Sequence, residues 1–345
     1  GLPKPDIYLG IGSGTHAEQT ARVMMSYENI LLEQRPDLVV VVGDVNSTMG
    51  ATLAASKIVY SSSPARPTAS RPLVAHLEAG LRSFDRTMPE EINRLVTDVL
   101  ADMLWTPSPD ADENLIREGI AAEKIHRVGN IMIDSLEMLR ARIESQETYQ
   151  AFDLEPFGYA VATLHRPSNV DDPGTLKDMC RTLVDVSERL PVVFPVHPRT
   201  RRNLEENGLL SFLEENGRSR RLFLPDPLPY IQFMNLVFNC RLVITDSGGI
   251  QEETSYLGIP CLTVRENTER PITITQGTNQ LCRLEDVTGK TEELLRAKNG
   301  APPSIELWPT LEADDSELIA HVDRRLGRAP SDDVFAVRVS GSSMD

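Results

Sequence analysis

The chain has 345 residues, of which 40% are hydrophobic and 25% charged, and its formal net charge is −16 at pH 7. Its length favours two domains, because single hydrophobic cores rarely grow beyond roughly 300 residues. The acidic balance argues against nucleic acid as a partner, and no apolar run reaches the ~20 residues that span a membrane. The cysteines form no CxxC pair, which is typical of reduced thiols and predicts a cytoplasmic location; they are Cys180, Cys240, Cys261 and Cys282.

Short β-branched runs alternate with amphipathic stretches along the chain. The first series predicts helices at 17–34, 47–59 and 89–102 and strands at 38–42, 73–77, 103–106 and 125–128. The second predicts a helix at 132–143 and strands at 159–164, 192–196, 222–224, 242–245 and 260–264.

This alternation predicts parallel sheets with right-handed crossovers. Two such series predict an α/β protein with two doubly wound Rossmann-like domains and a cleft between them. We place these domains at 1–131 and 132–328, followed by a polar tail at 329–345.

The segment Thr245-Asp246-Ser247-Gly248-Gly249 joins a predicted strand to a predicted helix. Glycines at such a turn let backbone N–H groups approach an anion, and the helix N-terminus adds partial positive charge. A plain glycine turn is the alternative, but the position at the carboxyl end of a buried strand favours an anion site. Glu253 lies one turn further on, where a carboxylate suits either the hydroxyls of a ribose or the helix dipole.

Arg270 follows the next buried strand and suits a charge-assisted bond to phosphate. Arg265 is the competing candidate, and Glu266 or Glu269 could hold either arginine in a structural pair.

Three acids in the first half lie near one another in the predicted fold. Asp44 and Glu78 follow neighbouring strands, and Glu90 opens the next helix. Crowded carboxylates acquire separated pKa values, which provides both an acid and a base. Each of them alone also fits a helix cap or a solvated loop.

Two histidines also follow predicted strands. His165, beside Arg166, suits contact with a phosphate leaving group, or alternatively a structural role at the sheet edge. His197, in the segment Pro195-Val196-His197, gives a related pattern.

Together these motifs resemble the non-hydrolysing UDP-N-acetylglucosamine 2-epimerases, and they occur in that family's order over about residues 17–281. The matching segments are Gly43-Asp44, His76-Leu77-Glu78-Ala79-Gly80-Leu81-Arg82, Pro89-Glu90-Glu91-Ile92-Asn93-Arg94, Val128-Gly129-Asn130, His165-Arg166, Pro195-Val196-His197, Thr245 to Glu253 and Thr268-Glu269-Arg270-Pro271.

The resemblance implies a fold of the GT-B type and an isomerase that interconverts UDP-GlcNAc and UDP-ManNAc. In this family UDP is eliminated to leave a 2-acetamidoglucal, and UDP then adds back, without a redox cofactor or metal. The resemblance also implies a homodimer and a role in cell-surface polysaccharide biosynthesis.

The resemblance also assigns roles to individual residues. It implies that Asp44, Glu78 and Glu90 are the catalytic acids, without dividing the two proton transfers among them, and that His165 contacts the diphosphate. The remaining substrate contacts that it implies are Phe233 for uracil, Ser247, Gly248, Gly249 and Arg270 for phosphate, and Glu253 for ribose.

The start of the chain departs from the family pattern. The family begins with a strand and a Gly-Thr-Arg-Pro-Glu type loop that binds the diphosphate, and nothing similar precedes Leu38. We therefore expect one N-terminal βαβ unit to be missing and the chain, expressed alone, to be weakly active or inactive. Bacterial relatives have an allosteric UDP-GlcNAc site that uses an arginine where Ser13 stands. His197 matches another member of that site, but we expect no such regulation.

Four other functions compete with this one. The segments 12–18 and 165–169 are compatible with a 2-epimerase of a modified UDP-sugar such as a diacetamido-uronate. A GT-B glycosyltransferase would share the fold, but sugar transfer does not need the acids Glu78 and Glu90. A hydrolysing epimerase and a sugar-nucleotide-binding module without catalysis are the others.

Overall fold

The structure is a computed structural model that describes residues 5–61, 70–217, 221–296 and 336–339. The chain divides into two compact units, Gly1–Asn130 with Thr310–Asp345, and Ile131–Pro309. Of the C-terminal segment, the structure describes Ala336–Val339, which belongs with the first unit.

The first unit alternates helices and strands in the predicted order. Its elements are α1 His16–Gln34, β1 Leu38–Val42, α2 Asn46–Lys57, β2 Leu73–Leu77, α3 Pro89–Leu100, β3 Met103–Thr106, α4 Pro109–Arg117, a 3-10 turn Ala122–Lys124, and β4 Ile125–Arg127. Thr15 caps α1 in a capping box with Glu18, and Pro89 occupies the first turn of α3.

The second unit repeats the pattern with more elements. They are α5 Ile131–Glu144, a 3-10 turn Thr148–Phe152, β5 Ala160–Thr163, α6 Pro167–Val170, α7 Pro173–Ser187, β6 Val192–Val193, α8 Pro198–Glu206, α9 Leu209–Gly217, β7 Leu222–Phe223, α10 Tyr230–Phe238, β8 Leu242–Thr245, α11 Gly248–Leu257, β9 Cys261–Val264, α12 Ile272–Thr275, β10 Asn279–Cys282, and α13 Leu284–Arg296.

A last strand, β11 (Ala336–Val339), pairs in parallel with β1 and lies inside the segment predicted as a polar tail. The sheet of the first unit has the order β11-β1-β2-β3-β4, and that of the second has the order β10-β9-β8-β5-β6-β7. All these pairings are parallel, as predicted. Parallel strands bury both faces, which explains their continuous apolar runs.

Each unit has its own core between its sheet and its helices. All four cysteines are buried free thiols, in agreement with their interpretation as small apolar residues. Among the described residues, no helix combines the length and the apolar character that crossing a membrane requires. The carboxyl ends of the strands, where ligands bind in such sheets, carry the residues considered next.

Candidate functional site

The predicted phosphate turn lies between β8 and α11. Ser247 is the N-cap of α11 and makes no side-chain capping bond, so its side chain leaves the first N–H groups of the helix uncovered. Asp246 is wholly buried and accepts hydrogen bonds from the backbone N–H groups of His165 (3.0 Å) and Arg166 (2.9 Å) and from Asn169 Nδ2 (3.0 Å). Burial alone would raise the pKa of Asp246, but the His165 side chain, followed by Asn169 and the Arg166 N–H, lowers it. The ionised carboxylate thus fixes the loop after β5 against the turn.

The side chain of His165 lies beside this turn. It is 37% exposed, and its Nδ1 is 3.1 Å from Asp246 Oδ1. The ring of His197 lies 5.5 Å from that of His165, centroid to centroid. His197 Nδ1 accepts the N–H of Arg199 at 3.2 Å and so caps α8. The structure therefore groups both predicted histidines at one edge of the sheet.

A cavity of about 340 Å³ opens next to the turn, within the second unit. Aromatic, aliphatic and polar side chains line it, as is typical of a small-molecule site. The lining residues include Met132, His197, Tyr230, Phe233, Ser247, Gly249, Ile250 and Glu253. The predicted uracil, ribose and phosphate ligands Phe233, Glu253 and Ser247 therefore share one cavity.

Glu253 is only 2% exposed, and its Oε1 accepts the Tyr230 hydroxyl at 2.7 Å. Burial, together with the neighbouring Glu252, raises the pKa of Glu253 to about 7, although the Tyr230 bond works in the opposite direction. Its carboxyl group therefore titrates near neutral pH, where protonation removes acceptor capacity.

Arg270 lies directly against the glycine turn. A Cβ placed on Gly248 would be 2.8 Å from Arg270 Nη1 and 2.7 Å from Glu269 Oε1, so a side chain there would collide with both. Arg270 pairs with Glu252 at 2.8 Å and with Glu269 at 2.5 Å. Glu269 also pairs with Arg265 at 2.6 Å, so it contacts both arginines, which is the structural pairing considered as an alternative.

The three predicted acids all lie in the first unit. Asp44 follows β1, and its Oδ2 accepts from Arg94 Nη2 at 2.6 Å and from Nε at 3.1 Å. Glu78 follows β2 in a left-handed conformation, with φ of 72°. Its Oε2 lies 3.7 Å from the Cβ position of Gly43, so the two loops adjoin. Glu90 is half-buried in the first turn of α3.

Sequence reasoning missed two partners in these sites. Tyr230 follows β7 at the start of α10, and its place after a predicted strand was the available signal. Asp98 is buried in α3 and contacts the ring of His76 in β2 and the backbone N–H of Gly80 in the loop after β2. Within the described ranges, no three His, Cys, Asp or Glu side chains are arranged to hold a metal ion.

The parallel sheets and the residues at their strand ends define a Rossmann-like nucleotide-binding fold of the GT-B class. The sequence model of the family UDP-N-acetylglucosamine 2-epimerase matches residues 1–306. The chain therefore belongs to the UDP-N-acetylglucosamine 2-epimerase family.

Relatives from archaea and bacteria support this assignment. A UDP-N-acetylglucosamine 2-epimerase of Methanococcus maripaludis is 39% identical over 86% of this chain and 79% of that protein. The crystal structure of Methanocaldococcus jannaschii UDP-GlcNAc 2-epimerase in complex with UDP-GlcNAc and UDP is 38% identical, with a TM-score of 0.75, and the match covers 90% of this chain and 81% of that one. A UDP-2,3-diacetamido-2,3-dideoxy-D-glucuronate 2-epimerase of Pseudomonas aeruginosa is 40% identical over 81% of this chain and 73% of that protein.

Proposed function

We propose that this protein interconverts UDP-GlcNAc and UDP-ManNAc by elimination and re-addition of UDP. The observation that carries the proposal is the cavity beside the glycine turn, which joins an aromatic ring, a buried carboxylate and a helix N-terminus that the side chain of its own N-cap, Ser247, does not cap. These are the partners that a uracil, a ribose and a diphosphate require.

In this proposal the first unit supplies the proton chemistry. One carboxylate among Asp44, Glu78 and Glu90 removes the C2 proton while the bond between C1 and the diphosphate oxygen breaks, giving the 2-acetamidoglucal and UDP. UDP then adds back at C1, and a second acid delivers a proton to the opposite face of C2. The C2 proton is weakly acidic, so a general base and a stabilised leaving group must share the work.

The second unit binds the leaving group. Ser247, Gly248 and Gly249 offer backbone N–H groups to the diphosphate, and Arg270 and His165 add charge or donors beside them. Phe233 contacts uracil and Glu253 the ribose. These cation and amide contacts stabilise the charge that develops on UDP as it departs.

A 2-epimerase of a diacetamido-uronate is the second candidate. The Pseudomonas aeruginosa relative is 40% identical to this chain, close to the 39% of the Methanococcus maripaludis UDP-N-acetylglucosamine 2-epimerase. Because both candidates share the UDP contacts and the C2 chemistry, they differ only in the sugar accepted. Comparing kcat/KM for the two UDP-sugars decides between them.

The test of the activity is incubation of the protein with UDP-GlcNAc in D2O, followed by NMR. Because we expect this chain to be weakly active, we expect slow incorporation of deuterium at C2 together with slow formation of UDP-ManNAc. D44N, E78Q and E90Q should each abolish exchange while UDP still binds, whereas E113Q, an exposed acid on α4, should leave it intact. Release of free ManNAc and UDP would indicate hydrolysis instead, and binding without exchange would indicate a non-catalytic module.

The assembly and location follow from the same proposal. We propose a homodimer, as the family resemblance implies, and light scattering of the purified protein measures its mass. A cytoplasmic location accords with four buried thiols that form no disulfide, and fractionation of cells tests it.

A further inference from the structure

His76 is a wholly buried histidine in β2 whose two ring nitrogens both face acceptors. Nδ1 lies 2.5 Å from Asp98 Oδ1, and Nε2 lies 2.9 Å from the carbonyl oxygen of Gly43. A carbonyl cannot donate, and Asp98 is itself surrounded by donors. Both ring nitrogens must therefore carry a proton, and His76 is an imidazolium.

The electrostatics agree with this assignment. Burial would lower the pKa of His76, but the ion pair with Asp98, the Gly43 carbonyl and the nearby Glu78 outweigh it and raise that pKa. The other charges around the pair are Arg82, 2.7 Å from Asp98 Oδ2, and Glu118, which pairs with Arg82 at 2.7 Å. The four charges alternate in sign, which is how buried ions are compensated.

Asp98 also reaches the loop after β2. Its Oδ2 accepts the backbone N–H of Gly80 at 3.1 Å. Gly80 has φ of 82°, and a Cβ there would be 2.4 Å from the Ala111 carbonyl oxygen. The backbone of this loop therefore requires glycine at position 80. Glu78, two residues earlier, sits at positive φ, a conformation that is unfavourable for a non-glycine residue unless its surroundings hold it. The Asp98 bond fixes the loop two residues beyond Glu78.

On the other side, the Nε2–H of His76 holds the carbonyl of Gly43, whose φ is 68°. The next residue is Asp44. The buried pair of His76 in β2 and Asp98 in α3 thus contacts the backbone just before Asp44, at Gly43, and just after Glu78, at Gly80. A displacement of about 1 Å between reacting groups can cost roughly 10²-fold in rate.

We propose that His76 and Asp98 are positioning residues of the epimerase, which hold the turns at Gly43 and Gly80 so that Asp44 and Glu78 keep a fixed separation. Neither residue touches substrate in this scheme. The inference rests on the proposed function for its catalytic consequence, but the charge state of His76 and the two backbone contacts do not depend on it.

The first experiment measures that charge state in the full chain. The protein contains six histidines, so ¹⁵N-histidine labelling and long-range ¹H–¹⁵N spectra resolve their rings, and loss of one set of signals in H76N assigns His76. We expect both nitrogens of His76 to show the imidazolium signature at pH 7.5, above the usual histidine pKa. A neutral-tautomer pattern at that pH would overturn the proposal whether or not the protein is an epimerase.

The second experiment compares two variants of similar size. In H76Q the amide nitrogen takes the place of Nε2 and retains the bond to Gly43, whereas in H76N it takes the place of Nδ1 and retains only the bond to Asp98. We expect kcat to fall about 10²-fold in H76N and about tenfold in H76Q, with KM little changed. The amide signals of Asp44 and Glu78 should shift in H76N.

A merely structural role predicts another pattern. Both variants would then lose activity in proportion to the unfolded fraction, with equal kcat per folded molecule, and this result would refute positioning. If the wild-type protein gives no C2 exchange at all, the proposed function fails. The ring signals and the amide shifts of Asp44 and Glu78 then still decide whether His76 holds the two turns.

Discussion

The affinity for a UDP-sugar should rise with pH through neutrality because ionised Glu253 accepts ribose hydroxyls better than the protonated carboxyl group does. Its pKa is raised to about 7, so at pH 5.5 only roughly 3% of molecules carry the carboxylate. If the protonated form does not bind, the affinity at pH 5.5 is about 30-fold weaker than at pH 8.5. The pKa shift is upward because burial disfavours the charged form of the carboxyl group. Isothermal titration with UDP-GlcNAc measures the affinity at each pH, and the pyrophosphate diester of this ligand stays ionised throughout.

Two variants test this reasoning. The glutamine of E253Q does not titrate. The affinity of this variant for UDP-GlcNAc should therefore be weak, with no contribution to its pH dependence from position 253. It retains His165 and His197 near the turn, and any slope that survives in E253Q belongs to other groups. Y230F removes the hydroxyl that lowers the pKa of Glu253, so the midpoint should move to higher pH. Equal wild-type affinities at pH 5.5 and 8.5 would refute the ribose role of the ionised carboxylate.

Two further predictions concern a glycine and an arginine. Gly277→Ala places a Cβ 2.2 Å from a main-chain carbonyl and should lower the free energy of unfolding by about 3 kcal/mol in urea titrations, whereas Gly289→Ala, in open space on α13, should not lower it. Arg94→Ala removes a partner of the buried Glu91 and should lower the free energy of unfolding by about 3–5 kcal/mol. Arg94→Lys keeps the charge but loses the forked contact to Asp44, so kcat should fall about tenfold at nearly full stability. Unchanged kcat in Arg94→Lys would show that the fork does not orient Asp44.

The sequence predicted the strands best where burial on both faces leaves an uninterrupted apolar run. The predicted bounds of β1, β2, β3 and β8 agree with the structure residue for residue. β6 was predicted to extend to Val196 but ends at Val193. Pro195 lies in the part that was wrongly predicted as strand, and it has no N–H to donate to a neighbouring strand. β10 was missed because Asn279-Gln280-Leu281-Cys282 contains no β-branched residue.

For the candidate site too, some residues could be predicted from the sequence and others could not. The glycine turn and the acids after β1 and β2 are visible because each depends on a few consecutive residues at a strand end. The partners that tune them are distant in sequence, such as Tyr230 for Glu253 and Asp98 for His76. Such pairs depend on which strands are neighbours, and one sequence does not specify that. The catalytic and binding roles themselves stay predictions.

The pairing of β11 with β1 gives the first unit a discontinuous sequence. Leu38 pairs with Ala336 across about 300 residues, so this is a contact of very high sequence separation. Closing so long a flexible loop costs on the order of 5 kcal/mol in chain entropy, and less once the intervening unit is compact. During synthesis β11 leaves the ribosome late, after the second unit has had time to fold. The edge of the first sheet is therefore completed last, and β1 keeps an unpaired side until then, where other strands can compete for it.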